Sequence, residues 1–139
     1  AGVRVVMADG RRYAWARDPD LAPFVMETAG CGIAEAVALY AQADVAVTPD
    51  SGSLWFAHAA KIPVVYWEGV SDAKAIMSEF PLPPDRYRVL HQAAQVDCVP
   101  CGEHAAACDW SYKCQRNMPK DWFVSETVAG VLALAGSPV

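Results

Sequence analysis

The 139-residue sequence has no long apolar run and no cluster of basic residues. A membrane-spanning helix needs roughly 18 consecutive apolar residues, and the most apolar stretches, 29–47 and 128–139, are interrupted by polar residues or glycine. The longest basic block is Arg11-Arg12 and the net charge is −5, so a broad contact with nucleic-acid phosphates is not expected. The sequence therefore predicts a chain without transmembrane segments that does not bind nucleic acid.

An initiator methionine and a signal peptide are also absent. The first residues, AGVRVVM, are typical of a strand and not of a basic segment followed by an apolar core. On this basis we interpret the chain as a fragment or an excised domain.

Three sequence motifs of nucleotide-binding and hydrolytic enzymes are missing. The chain contains no GxGxxG turn, no Walker loop and no serine-nucleophile elbow. The sequence has three histidines, namely His58, His91 and His104. Each is predicted to pack in the interior or to lie at the surface. A catalytic residue is therefore not assigned from the sequence.

Short apolar segments alternate with helical patterns along the chain. Strands are predicted over 3–7, 23–27, 44–48, 63–67 and 86–91, and helices over 32–43, 51–61, 71–80 and 121–135. Phe123, Val128, Val131 and Leu132 are the predicted buried face of the last helix. This alternation predicts a single α/β domain over 1–139, with a Rossmann-like parallel sheet covered by helices on both faces.

The most informative segment, 41–69, reads AQADVAVTPDSGSLWFAHAAKIPVVYWEG and predicts strand, tight turn, helix, strand. The helix begins directly after the strand, so the N–H groups of Gly52, Ser53 and Leu54 are predicted to point outward, where they can bind phosphate. Ser51 supplies a hydroxyl to the same turn. A plain strand-to-helix turn without a ligand remains an alternative of comparable weight.

Three acidic residues near predicted strand ends need separate interpretations. The carboxylate of Asp50 repels phosphate, so it is predicted to cap the helix and fix the turn. Glu27, followed by Thr28, lies where ligands of open α/β sheets bind, and its carboxylate is a candidate partner for a ribose. Glu68 is a similar, weaker candidate. A solvated loop carboxylate is the alternative for both glutamates.

Residues 30–69 resemble the heptosyltransferases, glycosyltransferase family nine, which build the inner core of lipopolysaccharide. The resemblance rests on ADVAVTPDSG, the helix before it, and the small-residue helix and apolar strand after it. It implies the C-terminal, donor-binding lobe of a two-lobed GT-B enzyme, holding a nucleotide-sugar such as ADP-heptose, with no metal needed for transfer. The resemblance implies that the donor diphosphate lies against Asp50, Ser51 and Gly52. Together with Ser53, these residues form the predicted diphosphate site.

The same resemblance implies an acceptor-binding N-terminal lobe, absent here, that carries the catalytic base. The isolated lobe is then inactive, and the enzyme works in the cytoplasm or at the periphery of the inner membrane. The chain departs from the family at Trp55, where the family has histidine; His58 follows one helical turn later. This departure favours an alternative, a non-catalytic α/β interaction module with a structural zinc site. A nucleotide-sugar epimerase is a third hypothesis.

Four of the five cysteines lie close together, in the segment CVPCGEHAAACDWSYKC. Cys98, Cys101, Cys108 and Cys114 would suffice for a structural zinc site, and the first pair has zinc-knuckle spacing. Reduced cysteines in a loop are the equally weighted alternative, ahead of two disulfides or an iron–sulfur cluster. Cys31 stands apart and is interpreted as an ordinary small residue.

Overall fold

The computed structural model describes residues 4–7, 18–28, 30–69, 71–79, 82–91 and 118–136. In these residues short strands alternate with helices, which confirms the predicted α/β class. The strands are β1 (Val5–Met7), β2 (Val25–Glu27), β3 (Ala46–Pro49), β4 (Val64–Trp67) and β5 (Tyr87–Leu90). The helices are α1 (Ile33–Tyr40), α2 (Gly52–Ala60), α3 (Ala73–Glu79) and α4 (Lys120–Ala135), with single 3-10 turns at Ala22–Phe24 and Pro84–Arg86.

The described strands form two small parallel sheets. Strands β1 and β2 pair with each other, and β3, β4 and β5 form a second sheet with β4 in the centre. The connections within the second sheet run through α2 and α3, as parallel pairing requires. The carboxyl ends of β3, β4 and β5 therefore meet at one edge of that sheet.

Helices cover both faces of the three-stranded sheet. Val64 and Tyr66 of β4 belong to a buried cluster with α2 and α3, whereas Val65 lies in a second cluster with Leu134 of α4. Trp67 continues this second cluster and packs edge-on against Phe123, with ring centroids 5.3 Å apart. Because β4 is covered on both faces, its sequence is an unbroken apolar run.

The prediction of which residues form the buried face of α4 is wrong in part. Phe123 and Val131 pack against the second cluster as expected, but Val128 and Leu132 are 52% and 70% exposed. The buried positions include Gly130 and Leu134. Apolar residues occur on every side of α4, so spacing alone does not select one face.

Gly130 explains the face that α4 presents to the sheet. A Cβ atom at this position would lie 3.0 Å from Cγ2 and 3.3 Å from Cγ1 of Val65. The helix backbone thus approaches the sheet closely where a side chain is absent. In the described part of the chain, no helix has both the length and the apolar character to cross a membrane.

Candidate functional site

Three polar side chains lie next to one another at the carboxyl ends of β3, β4 and β5. Pro49 pairs with Trp67 and Trp67 with Leu90, so the residues that follow them, Asp50, Glu68 and His91, form a row across the sheet edge. We call these three residues the carboxyl-end row. Ligands of open α/β sheets bind outside such strand ends.

Glu68 is the buried member of the row. Glu68 is 4% exposed, and its Oε1 accepts a hydrogen bond of 3.0 Å from the Ala73 N–H. Its Oε2 lies 3.2 Å from Nδ1 of His91, whose side chain is 65% exposed. Both carboxylate oxygens are therefore engaged, as a buried carboxylate requires.

Asp50 connects two loops and does not cap α2. Its Oδ2 accepts a hydrogen bond of 2.8 Å from the Ser71 N–H, in the loop after β4. A Cβ at Gly69 would lie 3.1 Å from Cβ of Asp50, so the two loops are closely packed. The predicted cap at Asp50 is wrong because the carboxylate is drawn to a distant backbone donor, a partner that local sequence does not reveal.

Ser51 is the residue that caps α2. Its Oγ accepts from the Ser53 N–H at 3.3 Å, and its carbonyl oxygen accepts from the Leu54 N–H at 3.0 Å. Two of the three N–H groups predicted to be free are therefore used within the helix.

Gly52 supplies the remaining N–H group at the start of α2. This residue is exposed, and its N–H donates to no other residue in the described part of the chain. A Cβ at Gly52 would meet no atom within 4 Å, so the space in front of the helix is open. Gly52 is not among the residues with positive φ, so open space, and not backbone conformation, is what glycine provides here.

Tyr66 lies on the same face of β4 as Glu68, two residues earlier. It is fully buried, and its hydroxyl has no hydrogen-bond partner among the described residues. Burial raises the pKa of the Tyr66 phenol, and the negative charges of Asp50, Glu68 and Asp72 raise it further. Asp72 itself caps α3, because its Oδ1 accepts from the Lys74 N–H at 2.7 Å.

Trp55 and His58 lie on α2, beyond the capped first residues. Trp55 is 40% exposed, and its ring centroid is 5.9 Å from that of His58. Burial lowers the pKa of His58, which favours the neutral imidazole. The structure thus places an exposed indole at the position where the predicted resemblance implies a histidine.

The remaining candidates lie elsewhere or outside the described residues. Glu27 ends β2 in the β1–β2 sheet, and the half-buried Thr28 follows directly after the strand; the side chain of Glu27 is outside the described part. The four clustered cysteines, Cys98, Cys101, Cys108 and Cys114, and also His104, lie outside the described residues. Cys31 is exposed, and no group of three or more potential ligands in the described ranges could hold a metal ion.

The pairing of Glu68 with His91 was not predicted from the sequence. A signal was present, because both residues lie at or just beyond the end of a predicted strand, as Asp50 does. Parallel strands that end in register bring such residues together. Their register became known only from the structure.

Comparisons with known proteins add no family assignment to this geometry. No protein-family model, no curated protein and no solved structure matches the chain. The resemblance to the heptosyltransferases therefore remains a prediction from residues 30–69.

Proposed function

We propose that this chain is the donor-binding lobe of a glycosyltransferase and that it binds the diphosphate of a nucleotide-sugar at the N-terminus of α2. Two features support the proposal: the parallel α/β fold, and the position of α2 directly after β3 at the carboxyl edge of the sheet. A nucleotide-sugar of the ADP-heptose kind, used in lipopolysaccharide or surface-glycan synthesis, is the donor that the sequence resemblance suggests.

The observation that carries the proposal is the open N–H group of Gly52. It lies at the positive end of the α2 dipole, with no atom within 4 Å of the position a Cβ would take. The Ser51 hydroxyl is beside it and retains a donor hydrogen, because its oxygen acts as the acceptor in the cap. Together these groups favour an anionic ligand.

During transfer, this end of α2 would stabilise the leaving nucleoside diphosphate as negative charge develops on it. The acceptor and the catalytic base would come from a separate N-terminal lobe, so the isolated chain is expected to bind donor without transferring sugar. Transfer would need no cofactor; zinc at the four clustered cysteines would be structural. The enzyme would act in the cytoplasm or at the periphery of the inner membrane.

Titration calorimetry of the chain against ADP, UDP and GDP tests this proposal. We expect one nucleotide to bind selectively, and the variant Gly52→Asp to weaken that binding by more than about tenfold, because like charges brought together cost several kcal/mol. The substitution should preserve the fold, since the site is open and an acidic residue in the first turn suits the helix dipole.

Two matched variants separate charge at the site from other effects. Gly52→Ala adds only a methyl group in open space and should keep the affinity. Ala59→Asp adds the same charge at an exposed position two turns along α2 and should also keep it. Unchanged nucleotide affinity in Gly52→Asp would contradict the proposal.

A non-catalytic interaction module is the second candidate function. It is favoured by exposed apolar side chains spaced four residues apart on α4, namely Val124, Val128 and Leu132. If the chain binds none of the three nucleotides and elemental analysis finds one zinc per chain, this function is favoured over donor binding.

A further inference from the structure

The edge proposed to receive a diphosphate carries several negative charges. Asp50, Glu68 and Asp72 all act there on the phenol of Tyr66, and Asp50 directly precedes the capping residue of α2. A phosphate group at this edge would be repelled by these carboxylates unless a positive charge offset them. His91 is the member of the carboxyl-end row that can carry one.

The geometry of Glu68 fixes the orientation of His91. The carboxylate is buried and held in place by the Ala73 N–H, and its second oxygen lies 3.2 Å from Nδ1 of the imidazole. With Nδ1 engaged, Nε2 is the nitrogen available to a ligand, and the side chain is 65% exposed. A buried carboxylate behind an exposed imidazole is an arrangement that orients a histidine for binding or proton transfer.

Tyr66 is an independent indication that a polar group belongs at this edge. Its hydroxyl is buried on the same face of the sheet, near the carboxylates of the row, and finds no acceptor within the described ranges. A buried hydroxyl without a partner is costly, so an oxygen atom of a ligand or a water molecule is the expected partner.

We propose that His91, held by Glu68, is the cationic contact of the diphosphate site, so that protonation of its imidazole strengthens the binding of a nucleoside diphosphate. This inference rests on the proposed donor-binding function and goes beyond it, because it adds a residue from β5 to a site built on α2. In the parallel sheet β3 and β5 lie about 10 Å apart, two strand spacings, which a nucleoside diphosphate can span.

The test compares nucleotide affinity of the wild-type chain and His91→Gln from pH 5.5 to pH 8.5. The ratio of the two affinities is the informative quantity, because the ionisation of the ligand phosphate, near pH 6, enters both measurements equally. We expect the wild type to bind about tenfold more tightly than His91→Gln at pH 5.5, since a charge-assisted hydrogen bond is lost. At pH 8.5 the two affinities should be similar.

Two further variants identify charge at this position as the cause. His91→Lys keeps a positive charge at pH 8.5 and should bind there more tightly than the wild type. His58→Gln removes a different imidazole, on α2, and should leave the pH dependence of the wild type intact. Glutamine and lysine at position 91 can each donate a hydrogen bond to Glu68, so both substitutions should preserve the fold, which circular dichroism at each pH would establish.

The outcomes distinguish this inference from the proposed function. An affinity ratio that does not change with pH, with binding still lost in Gly52→Asp, would overturn the role of His91 and leave the donor lobe standing. The absence of nucleotide binding at every pH would overturn both.

Discussion

At the scale of single residues, Gly130 shows how the absence of a side chain positions a helix. A Cβ there would meet two methyl carbons of Val65, a residue that is itself fully buried. The nearest atom would be at 3.0 Å, well inside ordinary van der Waals contact. The position therefore excludes larger residues, although glycine lowers helix propensity.

We expect Gly130→Val to destabilise the fold by about 1–3 kcal/mol, because the added side chain overpacks the contact between α4 and β4. Urea denaturation would measure the change. The matched control is Ala129→Val, on the exposed side of the same helix, which should change stability by no more than about 0.5 kcal/mol. Equal effects of the two variants would contradict a decisive contact with Val65, because helix propensity alone favours Gly130→Val over Ala129→Val.

At the scale of elements, α4 presents a different face from the one its sequence spacing indicates. Leu132 and Leu134 are two residues apart, yet the first is 70% exposed and the second 6%. Helical periodicity identifies a helix reliably when apolar residues cluster on one side. In α4 they do not, so the close approach at Gly130 decides which leucine is buried.

Alanine substitution of each leucine should separate these two environments. Leu134→Ala removes buried contacts with the cluster around Val65 and should cost about 2–3 kcal/mol in the free energy of unfolding. Leu132→Ala removes a mostly exposed side chain and should change stability by no more than about 0.5 kcal/mol. Thermal unfolding of both variants, followed by circular dichroism, would compare them; a larger loss for Leu132→Ala would contradict the observed face of α4.

The loops at the carboxyl edge show a second limit of local sequence. Capping rules predicted Asp50 as the cap of α2, but Ser51 occupies that position. They did not distinguish Ser51 from Asp50, whose acceptor oxygen instead bonds to Ser71, a residue 21 positions away. Contacts of this range depend on how β3 and β4 lie side by side, which no local rule contains.

At the scale of the whole molecule, the order and type of the elements could be predicted from the sequence. Every predicted strand and helix is present in the described ranges, with ends shifted by a few residues. Turn chemistry and apolar runs are local signals, and they suffice for this. The division of the strands into two sheets, and the register that aligns Glu68 with His91, depend on long-range packing and emerged only from the structure.

The central position of β4 has a consequence for how the protein opens. Val64, Val65 and Tyr66 are fully buried, and β4 is hydrogen-bonded to a strand on each side. In the two-stranded sheet, by contrast, Val5 and Val6 are 45% and 41% exposed. Local opening should therefore release β1 and β2 while β4 remains closed.

Amide hydrogen exchange would make this difference visible. We expect the backbone amides of β4 to exchange most slowly, through unfolding of the whole domain, and those of β1 and β2 to exchange early. Exchange followed by NMR would rank the strands; similar protection in both sheets would show that they open as one unit. The Glu68–His91 pair directly follows β4 and β5, so opening of the β1–β2 sheet should leave the carboxyl-end row assembled.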